Sequence, residues 1–120
     1  MAKPGETGFK RVVSAFYNSL RGFSGCWKNE AAFRQEVLCC VVLVPLGLWL
    51  GNGGVEKSLL VGVCLLVLIV EILNSGIEAA IDRIGHEHHE LSGLAKDLGS
   101  AAVFISLVLV GIVWGLILFT

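Results

Sequence analysis

Four polar side chains that suit metal binding or proton transfer follow one another at helical spacing in the second half of the chain. They are Glu71, Asn74, Glu78 and Asp82. Residues three and four apart lie on one face of a helix, so these side chains form one stripe, here called the acidic stripe. Its carboxylates repel one another, more strongly near lipid than in water. The stripe therefore implies a cation, shared protons or a polar partner helix.

A metal-assisted site is the interpretation that the donor atoms favour, because carboxylate and amide oxygens are ligands that suit Mg²⁺. Two other interpretations stay open. Arg or Lys side chains of a neighbouring helix would neutralise the stripe and make it structural. A small proton-coupled membrane transporter would use Glu71 to move protons or cations, and it would hydrolyse no ATP.

Two further polar clusters lie near the ends of apolar segments. One runs from Asn29 to Glu36 and includes Glu30 and Arg34, and the other is Lys96 with Asp97. Together with the acidic stripe they supply what phosphoryl transfer needs: carboxylates to hold Mg²⁺ on phosphates, cations to neutralise the transferred group, and a carboxylate to accept the proton of the attacking hydroxyl. The sequence has neither a Walker A motif nor the glycine loop of protein kinases, so an ATP site would be of another kind.

Three histidines occur together between the acidic stripe and Lys96. His88 and His89 are adjacent and point in different directions on a helix or a strand, which argues against a transition-metal site with His86. Solvated loop histidines, or histidines that touch a nucleotide, are the alternatives.

The elements that must position these residues are membrane helices. Of the 120 residues, 55% are hydrophobic and 16% are charged, and the mean hydropathy is +0.80, which is outside the range of soluble domains. A net charge of -1 excludes a general attraction to nucleic acid. We predict a single all-α membrane domain over residues 1–120, with an amphipathic helix at 8–28 and membrane helices at 30–50, 57–84 and 96–119.

The amphipathic helix and the basic residues predict how the chain lies in the membrane. On a helix, the apolar side chains of residues 8–28 fall on one face and the basic side chains fall on the other. This pattern favours a helix that lies on the surface of an anionic membrane over one that packs on the protein's own core. Most of the nine Lys and Arg residues precede the first membrane helix. By the positive-inside rule, the N-terminus and residues 82–97 lie in the cytoplasm and the C-terminus lies outside.

Two stretches of the chain carry a family resemblance. The sequence EILNSGIEAAIDRIGHEHHELSGLAKDLGSAAV at residues 71–103, with NEAAFRQE at residues 29–36, resembles the small integral-membrane diacylglycerol kinases of bacteria. The resemblance covers nearly the whole chain. It implies ATP-dependent phosphorylation of diacylglycerol to phosphatidic acid by a homotrimer of the inner membrane, with active sites shared between subunits. The related undecaprenol kinases share the fold and many motif residues, so undecaprenol is the alternative acceptor.

The resemblance also implies roles for individual residues. Glu71 is the expected general base on the lipid hydroxyl, with Asn74 in support and Lys96 as a further catalytic residue, and Glu30 with Glu78 is expected to bind Mg²⁺. The expected ATP contacts are Arg11, Asn18, Glu30, Glu78, Glu87, His88, His89, Lys96 and Asp97. The expected contacts to the lipid substrate are Ser19, Trp27, Arg34, Gln35, Glu71 and Ser100. On an ideal helix Glu78 lies roughly 10 Å nearer the cytoplasm than Glu71, on the side from which a nucleotide must arrive.

Overall fold

The computed structural model describes residue 5 and residues 7–120, so the N-terminal end of the domain predicted over 1–120 lies outside the described residues. The described part contains four helices and no strand. They are α1 (Gly8–Asn29), α2 (Ala31–Leu50), α3 (Gly53–Ile84) and α4 (Glu90–Phe119). Helices α2, α3 and α4 are each long and apolar enough to cross a membrane, which confirms the prediction of an all-α protein with three membrane helices.

A single non-helical residue separates α1 from α2. Glu30 has an extended backbone, with φ -120° and ψ 104°, and it serves both as the C-cap of α1 and as the N-cap of α2. Arg34 satisfies the last carbonyls of α1, since its Nη1 donates to the oxygens of Trp27 at 2.7 Å and Lys28 at 3.4 Å. The break places the Glu30 side chain at the junction of two helices.

Two helices begin earlier than the sequence predicted. Helix α3 begins at Gly53 rather than at residue 57, after a connection of Gly51 and Asn52. Gly53 has a φ of +85°, which favours glycine, and the Glu56 carboxylate accepts the backbone N–H of Asn52 at 2.9 Å. The charged residues at this end therefore extend the helix beyond its apolar part.

Helix α4 likewise begins at Glu90 rather than at residue 96. His89 precedes it with extended backbone, and its Nδ1 accepts the backbone N–H of Leu91 at 3.1 Å, which caps the helix. The connection between α3 and α4 is consequently reduced to residues 85–89. The first turns of α4 are polar, and Lys96 lies in its second turn instead of at its first residue.

Helix α3 is the central element of the fold and packs against both α2 and α4. Most of the buried residues of the described chain belong to it, and Leu60 is fully buried. The three membrane helices meet near that residue. The indole Nε1 of Trp114 in α4 donates a hydrogen bond to the carbonyl oxygen of Leu60 at 3.1 Å. Gly47 of α2 lies against the side chains of Leu60 and Trp114. This contact anchors the end of the bundle that is remote from the acidic stripe.

Helix α1 makes few contacts with the rest of the chain. Its aromatic residues are exposed, with Phe9 at 82% and Phe16 at 62%. The thiol of Cys26 donates to Ser75 Oγ of α3 at 3.6 Å, where α1 approaches the acidic stripe. The contact fixes the C-terminal turns of α1 and leaves its apolar face uncovered in this chain.

Candidate functional site

A cavity of about 520 Å³ opens between the C-terminal end of α1 and the half of α3 that carries the acidic stripe. Glycines on α1 and small residues on α3 leave the space, since their side chains cannot fill it. Asn29 and Glu30 line one side, and Glu78 and Asp82 line the other. The two carboxylates predicted to hold Mg²⁺ therefore face one cavity, although nearly fifty positions separate them in the sequence.

Glu71 lies deeper, within the helix bundle, and is only 5% exposed. Its carboxyl group interacts with that of Glu36 on α2, and the charges of Glu30 and Glu78 act on it as well. One oxygen of Glu36, Oε2, is buried without a hydrogen-bond partner among the described residues. The carboxyl groups of Glu30, Glu36 and Glu78, from the α1–α2 junction, α2 and α3, thus form one acidic cluster with that of the buried Glu71.

The predicted sites omitted Glu36. The sequence contained a signal for it, because Glu36 closes the polar segment 29–36 in which Glu30 was singled out. Spacing along α3 could not reveal it, since the contact depends on how α2 is rotated against α3. The side chain that α2 presents to Glu71 is another acid, so among residues 7–120 no cation neutralises the acidic stripe at that point.

A cation does reach the outer end of the stripe. Lys96 Nζ of α4 lies 3.1 Å from Asp82 Oδ1, and both side chains are about half exposed, at 45% and 50%. A pair this exposed contributes little to stability. It nevertheless holds the Lys96 ammonium group beside the cavity that Glu30 and Glu78 share.

Asn74 connects the deep and outer parts of the stripe. It is buried, and its amide Nδ2 donates to Glu78 Oε1 at 3.3 Å. Its carbonyl oxygen Oδ1 is buried without a hydrogen-bond partner among residues 7–120. Asn74 therefore donates a hydrogen bond to Glu78, the residue predicted to bind Mg²⁺.

A second, smaller cavity of about 210 Å³ lies under the connection between α3 and α4. Glu87, His88 and His89 line it together with Asp82 and Lys96. Asp82 also lines the larger cavity, so the two spaces meet at that carboxylate. Within the described part of the chain, no group of three or more His, Cys, Asp or Glu side chains is arranged to hold a metal ion.

Several predicted contact residues lie away from both cavities in this chain. Arg11 is near the opposite end of α1 from Glu30, at a distance of roughly 28 Å at 1.5 Å per residue. Asn18 is half-buried and accepts a hydrogen bond from Arg21. Arg34 binds the end of α1, as described above. The remaining predicted contacts, which are exposed on the outside of the chain, are Ser19, Trp27, Gln35, Asp97 and Ser100.

Cys26 also lines the larger cavity. Its side chain is 7% exposed and lies in the wall of the larger cavity near Glu30. Burial raises the pKa of the Cys26 thiol above its ordinary value, and the charge of Glu30 acts in the same direction. The group therefore stays a neutral thiol and packs as a small apolar side chain.

Known proteins resemble the chain over almost its whole length. The family described as prokaryotic diacylglycerol kinase matches residues 17–118. A diacylglycerol kinase of Haemophilus influenzae is 50% identical over 113 residues, which cover 94% of this chain and 96% of that protein. A diacylglycerol kinase of Escherichia coli K12 is 48% identical over 114 residues, which cover 95% of this chain and 93% of that protein. A third, from Pseudomonas aeruginosa, is 50% identical with the same coverage.

Proposed function

The chain belongs to the prokaryotic diacylglycerol kinase family, and from this premise we propose that it transfers the γ-phosphoryl group of ATP to the free hydroxyl of diacylglycerol. The observation that carries the proposal is that Glu30 and Glu78 face one cavity while Glu71 is buried beside it. The family favours neither undecaprenol as the acceptor nor a proton-coupled transporter.

Glu71 acts as the general base in this proposal. Its carboxylate accepts the proton of the lipid hydroxyl while the hydroxyl oxygen forms a bond to the γ-phosphorus and the bond from that phosphorus to the bridging oxygen of ADP breaks. The products are phosphatidic acid and ADP. The depth of Glu71 suits this role, because diacylglycerol brings its hydroxyl from the membrane.

The carboxylates of Glu30 and Glu78 fit a magnesium ion. Mg²⁺ is usually held by one or two carboxylates together with substrate phosphates and water, so two acidic side chains on one cavity are sufficient. Bound there, the ion would neutralise negative charge on the transferred phosphoryl group. Lys96 and the Glu87–His89 connection line the adjoining cavity, and we assign this space to the nucleotide.

The active unit is a homotrimer in this proposal. Arg11 lies too far along α1 to reach the Glu30 cavity of its own chain, and Asp97 and Ser100 are exposed. A neighbouring subunit would bring such residues to a shared site and cover part of the exposed apolar surface. We place the trimer in the bacterial inner membrane, with the N-terminus and the site on the cytoplasmic side, α1 on the membrane surface and the C-terminus outside, as the distribution of Lys and Arg indicates.

The experiment that tests the proposal is transfer of labelled γ-phosphate from MgATP by the purified protein in mixed micelles that contain diacylglycerol and undecaprenol side by side. We expect phosphatidic acid as the dominant product. Undecaprenyl phosphate as the main product would replace the substrate and keep the mechanism. No lipid product from folded protein would overturn the proposed function.

A further inference from the structure

Gly99 of α4 faces the side chain of Asn74 of α3 at close range. A Cβ atom built on Gly99 would overlap the Oδ1 atom of Asn74 and would lie 3.1 Å from its Cγ. Gly99 itself is buried. By contrast, a Cβ on Gly111 or Gly115 of the same helix meets no atom within 4 Å. The absence of a side chain at position 99 is therefore matched to one partner, the carboxamide of Asn74.

The carboxamide needs such a support because its own hydrogen bonds hold it weakly. The bond from Asn74 Nδ2 to Glu78 Oε1 is long, at 3.3 Å. The opposite end of the amide, Oδ1, lies against Gly99 without a hydrogen-bond partner among the described residues. With only one long hydrogen bond, the amide plane is free to turn about its terminal torsion unless packing limits it.

We propose that Gly99 is a positioning residue that holds the Asn74 carboxamide, so that its N–H keeps donating to the Glu78 carboxylate. The backbone of α4 forms the wall behind Oδ1, and any side chain at position 99 pushes the amide away from Glu78. The oriented amide in turn keeps the Glu78 carboxylate facing the cavity. This inference rests on the proposed function, in which Glu78 binds the metal ion of the nucleotide.

The test is a double-mutant cycle that is read out by metal binding as well as by turnover. Gly99→Ala, Asn74→Ala and the double variant are titrated with Mn²⁺ and a non-hydrolysable ATP analogue, and bound Mn²⁺ is followed by electron paramagnetic resonance. Gly111→Ala is the matched control on α4, since its added methyl group meets open space. Glu78→Gln is the reference for loss of the metal ligand.

We expect Gly99→Ala and Asn74→Ala each to weaken Mn²⁺ binding by about tenfold, which is the effect of losing one hydrogen bond to a charged group. The double variant should bind no more weakly than Asn74→Ala, because removal of the carboxamide makes room for the new methyl group. If Gly99→Ala alone fails to fold, the double variant still tests the proposal, because α3 and α4 can pack in it without overlap.

Three results would overturn the inference. Equal binding by Gly99→Ala and Gly111→Ala would show that position 99 has no influence on the metal ligand. Additive losses in the double variant would show that Gly99 acts independently of Asn74, while the metal assignment would survive if Glu78→Gln abolished binding. Normal Mn²⁺ binding by Glu78→Gln would refute the metal assignment of the proposed function and the positioning role that depends on it.

Discussion

Replacing Glu71 with Gln separates proton transfer from nucleotide binding. The amide of Gln has almost the shape of the carboxyl group of Glu, so the buried position between α2 and α3 stays filled. The substitution also removes one negative charge from the acidic cluster to which Glu36 belongs. Removing a like charge relieves repulsion, and we expect the variant to fold at least as well as the parent protein. What it loses is the ability to accept a proton.

The expected magnitude follows from the proposed role of Glu71 as general base and from its position. A general base contributes about 10²–10⁴ in rate, so kcat for diacylglycerol should fall by that factor, which corresponds to roughly 3–5 kcal/mol in activation free energy. Glu71 lies two helical turns, roughly 10 Å, from Glu78. MgATP carries a net negative charge, so the loss of a negative charge at that distance should leave its affinity unchanged or higher.

Steady-state phosphorylation in mixed micelles measures kcat, and binding of a fluorescent ATP analogue to the same preparation measures nucleotide affinity. Glu78→Gln is the matched control, because it removes a carboxylate from the same face of α3 and should weaken binding of the nucleotide with Mg²⁺. The assignment of Glu71 would be refuted if Glu71→Gln kept more than a tenth of the parent kcat. A loss of nucleotide affinity as large as that of Glu78→Gln would refute it equally.

Three further predictions concern the parts that hold the site together. Burial raises the pKa of Cys26, so at pH 7 its thiol should react with a maleimide more slowly than the exposed thiol of a Ser24→Cys variant. The reaction rate of Cys26 should also keep rising to a higher pH than that of the exposed thiol. Equal rates, measured by mass spectrometry, would contradict this. Trp114→Phe removes the hydrogen bond to α3, so it should lower the free energy of unfolding by about 1–2 kcal/mol in SDS titrations. Trp49 is 79% exposed, so the control Trp49→Phe should change that free energy little. Arg34→Gln leaves the last carbonyls of α1 without their donor and should accelerate hydrogen exchange in the final turn of α1; unchanged exchange would count against the cap.

The membrane helices were predictable because one physical requirement dominates them. A segment that crosses lipid must be predominantly apolar over about 20 residues, and runs such as residues 98–119 meet that condition in the sequence itself. Their ends were not predictable to the same degree. The early starts of α3 and α4 depend on hydrogen bonds made by Glu56 and His89, which polar sequence near a membrane surface does not distinguish from a loop.

Those parts of the site that lie on a single helix could be predicted from the sequence. Those that depend on contacts between two helices could not. The acidic stripe follows from the helical period, and its members do share one face of α3. The contact of Glu36 with Glu71 and the fit of Gly99 against Asn74 depend on the rotation and separation of packed helices. Spacing along the sequence carries no information about either quantity, so neither contact could be predicted, although Glu36 stands in a polar segment that the sequence does mark.

On the proposed mechanism, the acidic stripe would let one site serve a lipid from the membrane and a nucleotide from water. Glu71 is buried at the depth of the bundle, whereas Glu78 and Asp82 line cavities at its polar end. A helix that leaves the membrane provides such a gradient from apolar to aqueous surroundings along a single rigid face. In the proposed mechanism, the proton acceptor Glu71 and the metal ligand Glu78 lie two turns apart on that face, so each would act in the surroundings that its substrate requires. The repulsion among the carboxylates would then be the cost of this arrangement, and on the proposed mechanism a magnesium ion bound with its nucleotide would offset that repulsion.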